Sequence, residues 1–423
     1  MALTKLASRI QSAQLNQATA FVLPWEIDSV VSICGSFSTF PSQQDGEEVI
    51  QDLMVSMLDK GTRNRSKIEL STLLEDCGAS IHFSSAGSRI RFDAKCLKSD
   101  LELVIRLINE QLLFPLFDEA EFELLKGRVQ AQVKRLESDT SSVAHDELSR
   151  RVYQPNHPKY ALPLSEVSKI VAHAERSDLE AYWSSHVGTQ DFIVTIVGDA
   201  QSVAPQTVLA SLTQGLSLHS LLPAPIRWAD HGRPETKHVE ISDRFNLDVN
   251  IGHRVNVLKH DADYLPLSLG VFLLGGNFSS HLMGTIRDRD GLTYGIRSSL
   301  SGIDRNHWGA WLTSVTLSQE KLQEGTAKTI QEMGRFLEEK TTSEALEMCK
   351  ATKIGSFQLS LSTTGGIASI LRSNHEDGYH VDRVDTYPGE IEVITADRVD
   401  HVMSHHLHVD QLHVVSAGSA LAT

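Results

Sequence analysis

Leu273-Leu274-Gly275-Gly276-Asn277-Phe278-Ser279-Ser280-His281-Leu282 runs on through Ile286-Arg287-Asp288-Arg289-Asp290-Gly291-Leu292-Thr293-Tyr294. This stretch sets a guanidinium, Arg287, and a phenol, Tyr294, seven residues apart across a helix-to-strand turn. Ser279 is placed to cap a short helix carrying Leu282, Ile286 and Arg287. Gly291 suits the left-handed residue that ends it. Tyr294 then opens an extended run. A helix end followed by a strand can turn both side chains toward one spot, where two donors hold a peptide carbonyl or a developing oxyanion. The competing reading is a surface arginine and a half-buried core tyrosine.

Working outward, the chain is written twice. Arg176 to Trp183 reads as a helix, followed by the strand Phe192 to Val197 and Gly198-Asp199-Ala200. Near the C-terminus Asp397 to Met403 reads as a helix, followed by the strand Leu412 to Ala417 and Gly418-Ser419-Ala420. Earlier, Arg89 to Leu97 alternates as a strand before the amphipathic helix Asp100 to Leu113. Its counterpart is Trp308 to Thr316, leading into the helix Glu320 to Leu337. Such alternation marks sheets with one face better covered than the other. Between the halves, Val203 to Leu212 reads as a closing helix, and Leu221 to Glu235 as a Pro-containing linker. The expected organisation is α+β: two homologous α/β domains, each a mainly antiparallel sheet with helices packed on one face. The boundaries are 1–218, a linker over 219–236, and 237–423.

The bulk numbers bound the partners. The 423 residues suffice for two or three domains with sizeable cores. The 54 acidic residues outweigh the 39 basic ones, for a formal charge of -15. Nucleic acid and anionic membranes are poor partners for such a chain. Cys34, Cys77, Cys96 and Cys349 lack Cys-x-x-Cys spacing and fit reduced, mostly buried thiols. No run approaches a membrane span. Met1 to Gln17 has no apolar leader core, so the cytoplasm is expected, or the periplasm had a leader been removed.

Gly46 to Thr62 is the second telling segment. Val49, Ile50, Leu53, Met54, Met57 and Leu58 fall on one helical face. Lys60-Gly61-Thr62 stops the helix, and Ser66-Lys67-Ile68-Glu69 is a capping box that starts the next, ending at Cys77-Gly78. The order of segments resembles the pitrilysin family of zinc peptidases, the inverzincins with His-x-x-Glu-His on a helix. The pieces that carry the resemblance are Met57 to Thr62, Leu74 to Ala79, Asn109 to Pro115 with Phe117, Asn156 to Tyr160, Val197-Gly198-Asp199, and Leu274-Gly275-Gly276 through Tyr294. They span about Val30 to Gly418.

The resemblance fails where the metal should be. Alignment on Lys60-Gly61-Thr62 puts Asp52 and Ser56 at the two histidines and Val55 at the general base. Alignment on Gly46 puts Val49, Leu53 and Asp52 there instead. The third ligand falls near Gln132, whose amide oxygen is a poor zinc ligand. Zinc hydrolysis needs several strong ligands, an open position and a base. The helix therefore reads as a core element that has kept its shape and lost its chemistry, with no cofactor in this chain.

What the resemblance implies is a division of labour. In such enzymes the tyrosine donates to the scissile carbonyl and the arginine helps position substrate. Arg287 and Tyr294 match in type and spacing. Gly275 and Gly276 match a tight loop that lets backbone approach substrate, with Phe278 beside it. The expected role is a noncatalytic subunit, inactive alone, facing a zinc-bearing homologous partner across a closed peptide chamber. A purely structural core-type subunit of a larger assembly is the alternative. For a self-sufficient enzyme there is no nucleophile elbow, phosphate loop or dinucleotide fingerprint.

Other polar clusters read as architecture. His401 and His405, with His406, His408 and His413 beyond, have metal-like spacing but no carboxylate base among them, and suit a helix C-terminus. Glu47, Glu48 and Asp52 read as a solvated helix first turn, not a calcium site. His157 beside Pro158 reads as structural. Phe278, Trp308 and Trp311 could line a substrate groove, but alternating aromatics in a strand more often pack a core.

Overall fold

The computed structural model describes residues 5–25, 29–40, 46–219 and 233–419. The strands, in chain order, are β1 (Gln11–Leu15), β2 (Ala18–Pro24), β3 (Val30–Ser38), β4 (Ser80–Ser85), β5 (Arg89–Leu97), β6 (Ile193–Gly198), β7 (Thr236–Glu240), β8 (Asn246–Val255), β9 (Ile296–Ser301), β10 (Gly309–Ser318) and β11 (His413–Gly418). In the first half the helices are α1 (Glu47–Met57), α2 (Lys67–Asp76), α3 (Leu101–Leu113), α4 (Glu119–Leu136), α5 (Thr140–Val152), α6 (Leu164–His173), α7 (Arg176–His186) and α8 (Pro205–Thr213). In the second they are α9 (Tyr264–Gly275), α10 (Leu322–Glu338), α11 (Ser343–Ser360), α12 (Thr364–Glu376), α13 (Arg383–Glu392) and α14 (Ala396–His406). A π-helical segment, Met283–Arg289, lies between α9 and β9.

The chain folds into two compact units, and these do not follow chain order. The first takes residues 1–131, 165–224 and 356–387; the second takes 132–164, 225–355 and 388–423. The expected linker falls largely on residues 220–232, outside those described.

In the first unit a six-stranded sheet has the order β1-β2-β6-β3-β5-β4. Only β2 and β6 run parallel. β3 is buried along nearly its whole length because both its faces are covered. On one face Phe37 and Phe92 pack against Phe192, with ring centroids 6.2 and 5.8 Å away. Gly35 is needed there, since a Cβ would come within 2.1 Å of the Phe92 ring. On the other face lies α12. Its Ile367, Ala368 and Leu371 cluster with Cys34 and Val197. Ser32 shares a 2.8 Å hydrogen bond with Thr364, and Ser36 donates to Glu376 at 2.7 Å. Arg91 also binds Glu376, and Arg372 binds Asp93 at 2.7 Å. Burial works to raise the Glu376 carboxyl, but the Arg91 hydrogen bond and the charges of Arg89 and Arg91 prevail and hold it below the usual range.

The second unit repeats this plan. Its sheet has the order β7-β11-β8-β10-β9, with only β7 and β11 parallel. Trp311 is wholly buried on the face toward α9, and its indole donates to Ser298 at 2.7 Å. Alternation turns Ala310 and Leu312 to the other face, where α5 covers them with Ala144, Leu148 and Val152. Each sheet thus carries one helix contributed by the opposite half of the chain. The sequence halves predict the sheets and the main helical layers; they do not predict this exchange.

Local signals hold in detail. Ser66 and Glu69 form the expected capping box of α2. Gly291 is left-handed, with φ +59°. Cys34, Cys96 and Cys349 are buried, Cys77 is half-buried, and all four are free thiols. Ser279 does not cap the helix after the Gly-Gly turn. Its backbone N–H closes a short turn on Asn277 Oδ1 at 2.8 Å, and the helix begins at His281. Tyr294 likewise sits on a bend, and its strand begins two residues later at Ile296.

Candidate functional site

Helix α1 is bound into the first unit by its own side chains. Val49, Leu53, Met54, Val55 and Met57 are all buried. Gln51 is buried with them and fully satisfied. Its Oε1 accepts from Thr39 at 2.5 Å and Tyr182 at 2.7 Å; its Nε2 donates to Ser85 at 2.5 Å and to the Gly87 carbonyl at 2.9 Å. Asp52 and Ser56 are exposed on the other side, and Val55 fills the core where a base would stand. Gln132 lies in the second unit, exposed, with its amide oxygen taken by Arg135. This donor set does not fit zinc: one carboxylate, one hydroxyl and one amide offer a single strong ligand. Among the described residues no three His, Cys, Asp or Glu side chains converge as a metal site requires.

The expectation about the acidic cluster changes here. The first turn of α1 is half-buried, not solvated. Both Glu48 carboxyl oxygens lack a partner, and burial raises that carboxyl to about 7, with Asp52 and Glu47 adding repulsion. At α14, His405 and His406 occupy the last turn, with the His401 ring stacked 6.5 Å from His405 and His405 edge-on to His406 at 4.6 Å. His406 pairs with Asp263 at 2.8 Å, and His253 Nε2 accepts from the His408 backbone N–H at 3.0 Å. His157 is wholly buried, its Nε2 on the Trp308 carbonyl at 2.8 Å and its Nδ1 accepting from the Lys159 N–H at 2.9 Å. Burial lowers its pKa to about 4, so it is neutral and structural.

The segment Gly275 to Tyr294, in the second unit, is built differently. α9 ends against β9 so closely that a Cβ on Gly275 would lie 2.6 Å from the Ser298 backbone. The chain then enters the π-helical segment, where the Asp290 N–H reaches back to the Thr285 carbonyl at 3.0 Å. Such widened turns concentrate at functional sites. Glu332 of α10 anchors it, accepting from His281 at 2.9 Å and Arg289 at 3.0 Å.

From this base Tyr294 projects 99% exposed, and Phe278 is 78% exposed. Arg287 lies 5.8 Å over the Phe278 ring, within cation–π reach. Tyr294 stands between two adjoining clefts. One, of about 520 Å³, is bordered by Gly275, Gly276, Phe278 and Asp248. The other, of about 760 Å³, is bordered by Arg287, Gly291 and Thr316. Arg287, Tyr294, Gly275, Gly276 and Phe278 therefore share one region, with two hydrogen-bond donors facing open space. The half-buried reading of Tyr294 does not apply. Asp248 is an addition that the sequence reading missed. It floors the first cleft on β8 and accepts from Thr140 at 2.6 Å and Thr316 at 2.5 Å. A single aspartate in an alternating strand gives no signal of this in sequence.

Comparison with known proteins bears on the family and the fold. Residues 173–353 match the profile described as "Peptidase M16 inactive domain", and residues 50–163 match "Insulinase (Peptidase family M16)". An uncharacterized zinc protease of Streptomyces coelicolor is 22% identical over 58% of this chain and 54% of its own length. A Helicobacter pylori protein named "Non-peptidase homolog YmxG" is 21% identical over 85% of this chain and 82% of its own. The fold matches a crystal structure described as a peptidase M16 inactive domain, from Pseudomonas fluorescens, with a TM-score of 0.88 at 20% identity, covering 98% of this chain and 99% of that one. With its duplicated fold and a metal helix stripped of histidines, the chain belongs to the peptidase M16, or insulinase, family as an inactive member.

Proposed function

We propose that this chain is the noncatalytic subunit of a two-chain zinc metallopeptidase, supplying Arg287 and Tyr294 for binding the substrate carbonyl and stabilising the transition state. A homologous, zinc-bearing chain supplies metal and base, and the substrate is a peptide or unfolded polypeptide. The observation that carries this reading is Tyr294. A phenol 99% exposed on a bend contributes nothing to the core, yet its base is held by a π-helical segment anchored on buried Glu332. Such a side chain serves a ligand. The Arg287 guanidinium beside it, stacked on Phe278, adds a positive charge to the same region.

The chemistry asked of this chain is modest. Tyr294 donates its hydroxyl proton to an oxygen that gains negative charge, and Arg287 fixes the peptide by a charge-assisted hydrogen bond. Gly275 and Gly276 let α9 end close against β9, where a Cβ would meet Ser298 or Phe272, and so set the wall of the cleft. The test is reconstitution with the metal-bearing partner. Tyr294→Phe keeps the ring and removes the donor. Equal peptidase rates for wild type and variant remove Tyr294 from the mechanism, and absence of any partner-dependent activity favours a purely structural subunit.

A further inference from the structure

The proposed chemistry leaves one cation in the Tyr294 region without a task. Arg297 of β9 borders the cleft at Gly275-Gly276 and is exposed. Among the described residues no hydrogen bond or ion pair holds its guanidinium. Its cross-strand neighbours on the same face are Ser314 and then Asn250, neither of them charged. Lys353 of α11 feels the repulsion of both Arg297 and Lys259. Lys353 lies 4.3 Å from the Phe272 ring, and Phe272 packs against Gly276 at the cleft wall. The cleft's carboxylate, Asp248, is held by two threonine hydroxyls and stands on β8, two strands from β9. Strand spacing puts that separation at roughly 10 Å.

An exposed arginine that no carboxylate holds among the described residues is unexpected in a chain with 54 acidic and 39 basic residues. A charge on an edge strand discourages sheet-to-sheet pairing. That role needs one charge, and it does not explain an arginine turned into a cleft beside exposed aromatics. An unsatisfied planar guanidinium is suited to a carboxylate.

We infer that this cleft selects extended peptides carrying an acidic side chain, Glu or Asp, at the position facing Arg297. The inference rests on the peptide-binding reading of the same cleft. Arg297 is the specificity-determining residue, and Tyr294 acts on the peptide backbone irrespective of that side chain.

The test measures binding of the full-length chain by titration calorimetry. The ligands are acetylated, C-terminally amidated peptides in a positional series, each offered with Glu or with Gln. At one position the Glu peptide binds about tenfold more tightly. That preference shrinks at high salt and disappears in Arg297→Gln, which binds the Gln peptide as wild type does. Arg297→Lys retains part of the preference and controls for folding. Equal affinity for Glu and Gln peptides at every position overturns acidic selection and leaves the peptide-binding reading standing. A Glu preference that survives in Arg297→Gln overturns the assignment to Arg297. Failure of every peptide to bind overturns both readings.

Discussion

Helix α1 and the segment around Tyr294 treat their polar groups in opposite ways. On α1 the buried polar side chain, Gln51, has four partners and no freedom. Around Tyr294 the hydroxyl and the Arg287 and Arg297 guanidiniums face open clefts. Burial without satisfaction is expensive, so a helix that lost its metal ligands is retained only if its inward positions turn apolar or fully bonded. An exposed donor is under no such constraint and persists when something outside the chain uses it. The difference separates a place whose buried polar group is satisfied within the fold from one whose donors stand open to the ligand proposed above.

The largest expected effect tests the ligand side. Tyr294→Phe lowers the peptidase rate of the reconstituted complex by about 10²–10³-fold, as loss of one oxyanion donor does. Urea unfolding of the variant alone matches wild type, because the side chain is 99% exposed. A fall in stability would break the contrast.

Next in size is a pH effect from a buried polar group of the same unit that is not at the clefts. His157 has a folded pKa of about 4, against about 6.5 unfolded. A depressed pKa means the unfolded chain takes up the proton first. Stability is therefore full above about 6.5 and falls as pH drops toward 4, by up to about 3 kcal/mol. His157→Asn flattens the pH dependence of the unfolding free energy in that window. An unchanged slope would place the titration elsewhere.

Gln51→Leu tests the other side. It strands the Thr39 and Tyr182 hydroxyls in the core and costs about 2–4 kcal/mol in urea unfolding, while peptidase activity of the folded complex is retained. Loss of activity without loss of stability would mean that α1 still serves chemistry.

The smallest effect is at Glu147 of α5. Burial works to raise its carboxyl, but hydrogen bonds from Lys237, Arg150 and Arg151 hold it at about 2. The stability it contributes is complete above the unfolded value of about 4.3 and is lost as pH falls through 2. Glu147→Gln costs about 1–2 kcal/mol at neutral pH after allowance for solvent screening, read as a lower urea midpoint with an unchanged slope.

Much of this was legible along the chain. The Ser66–Glu69 capping box, the alternation of Arg89 to Leu97 and the left-handed Gly291 are local features, set by a few neighbouring residues. The missing histidines on α1 were equally plain, since an absent ligand needs no fold to be noticed. Ser279 misled because Asn277 offers its backbone a competing turn. The half-burial of Glu48 was hidden for another reason: an acidic first turn has the same sequence whether or not other elements cover it.

By itself the sequence determined two α+β repeats, the absence of histidine from α1, and an Arg/Tyr pair at a Gly-rich turn. Periodicity, capping and residue chemistry act over one or two helical turns and can be read without contacts. Tertiary structure alone decided that α5 and α12 cross to the opposite sheets, that Tyr294 stands clear of the core, and that Asp248 and Arg297 border one cleft. Those outcomes depend on which distant surfaces complement each other, and an amphipathic helix carries the same pattern whichever sheet it covers.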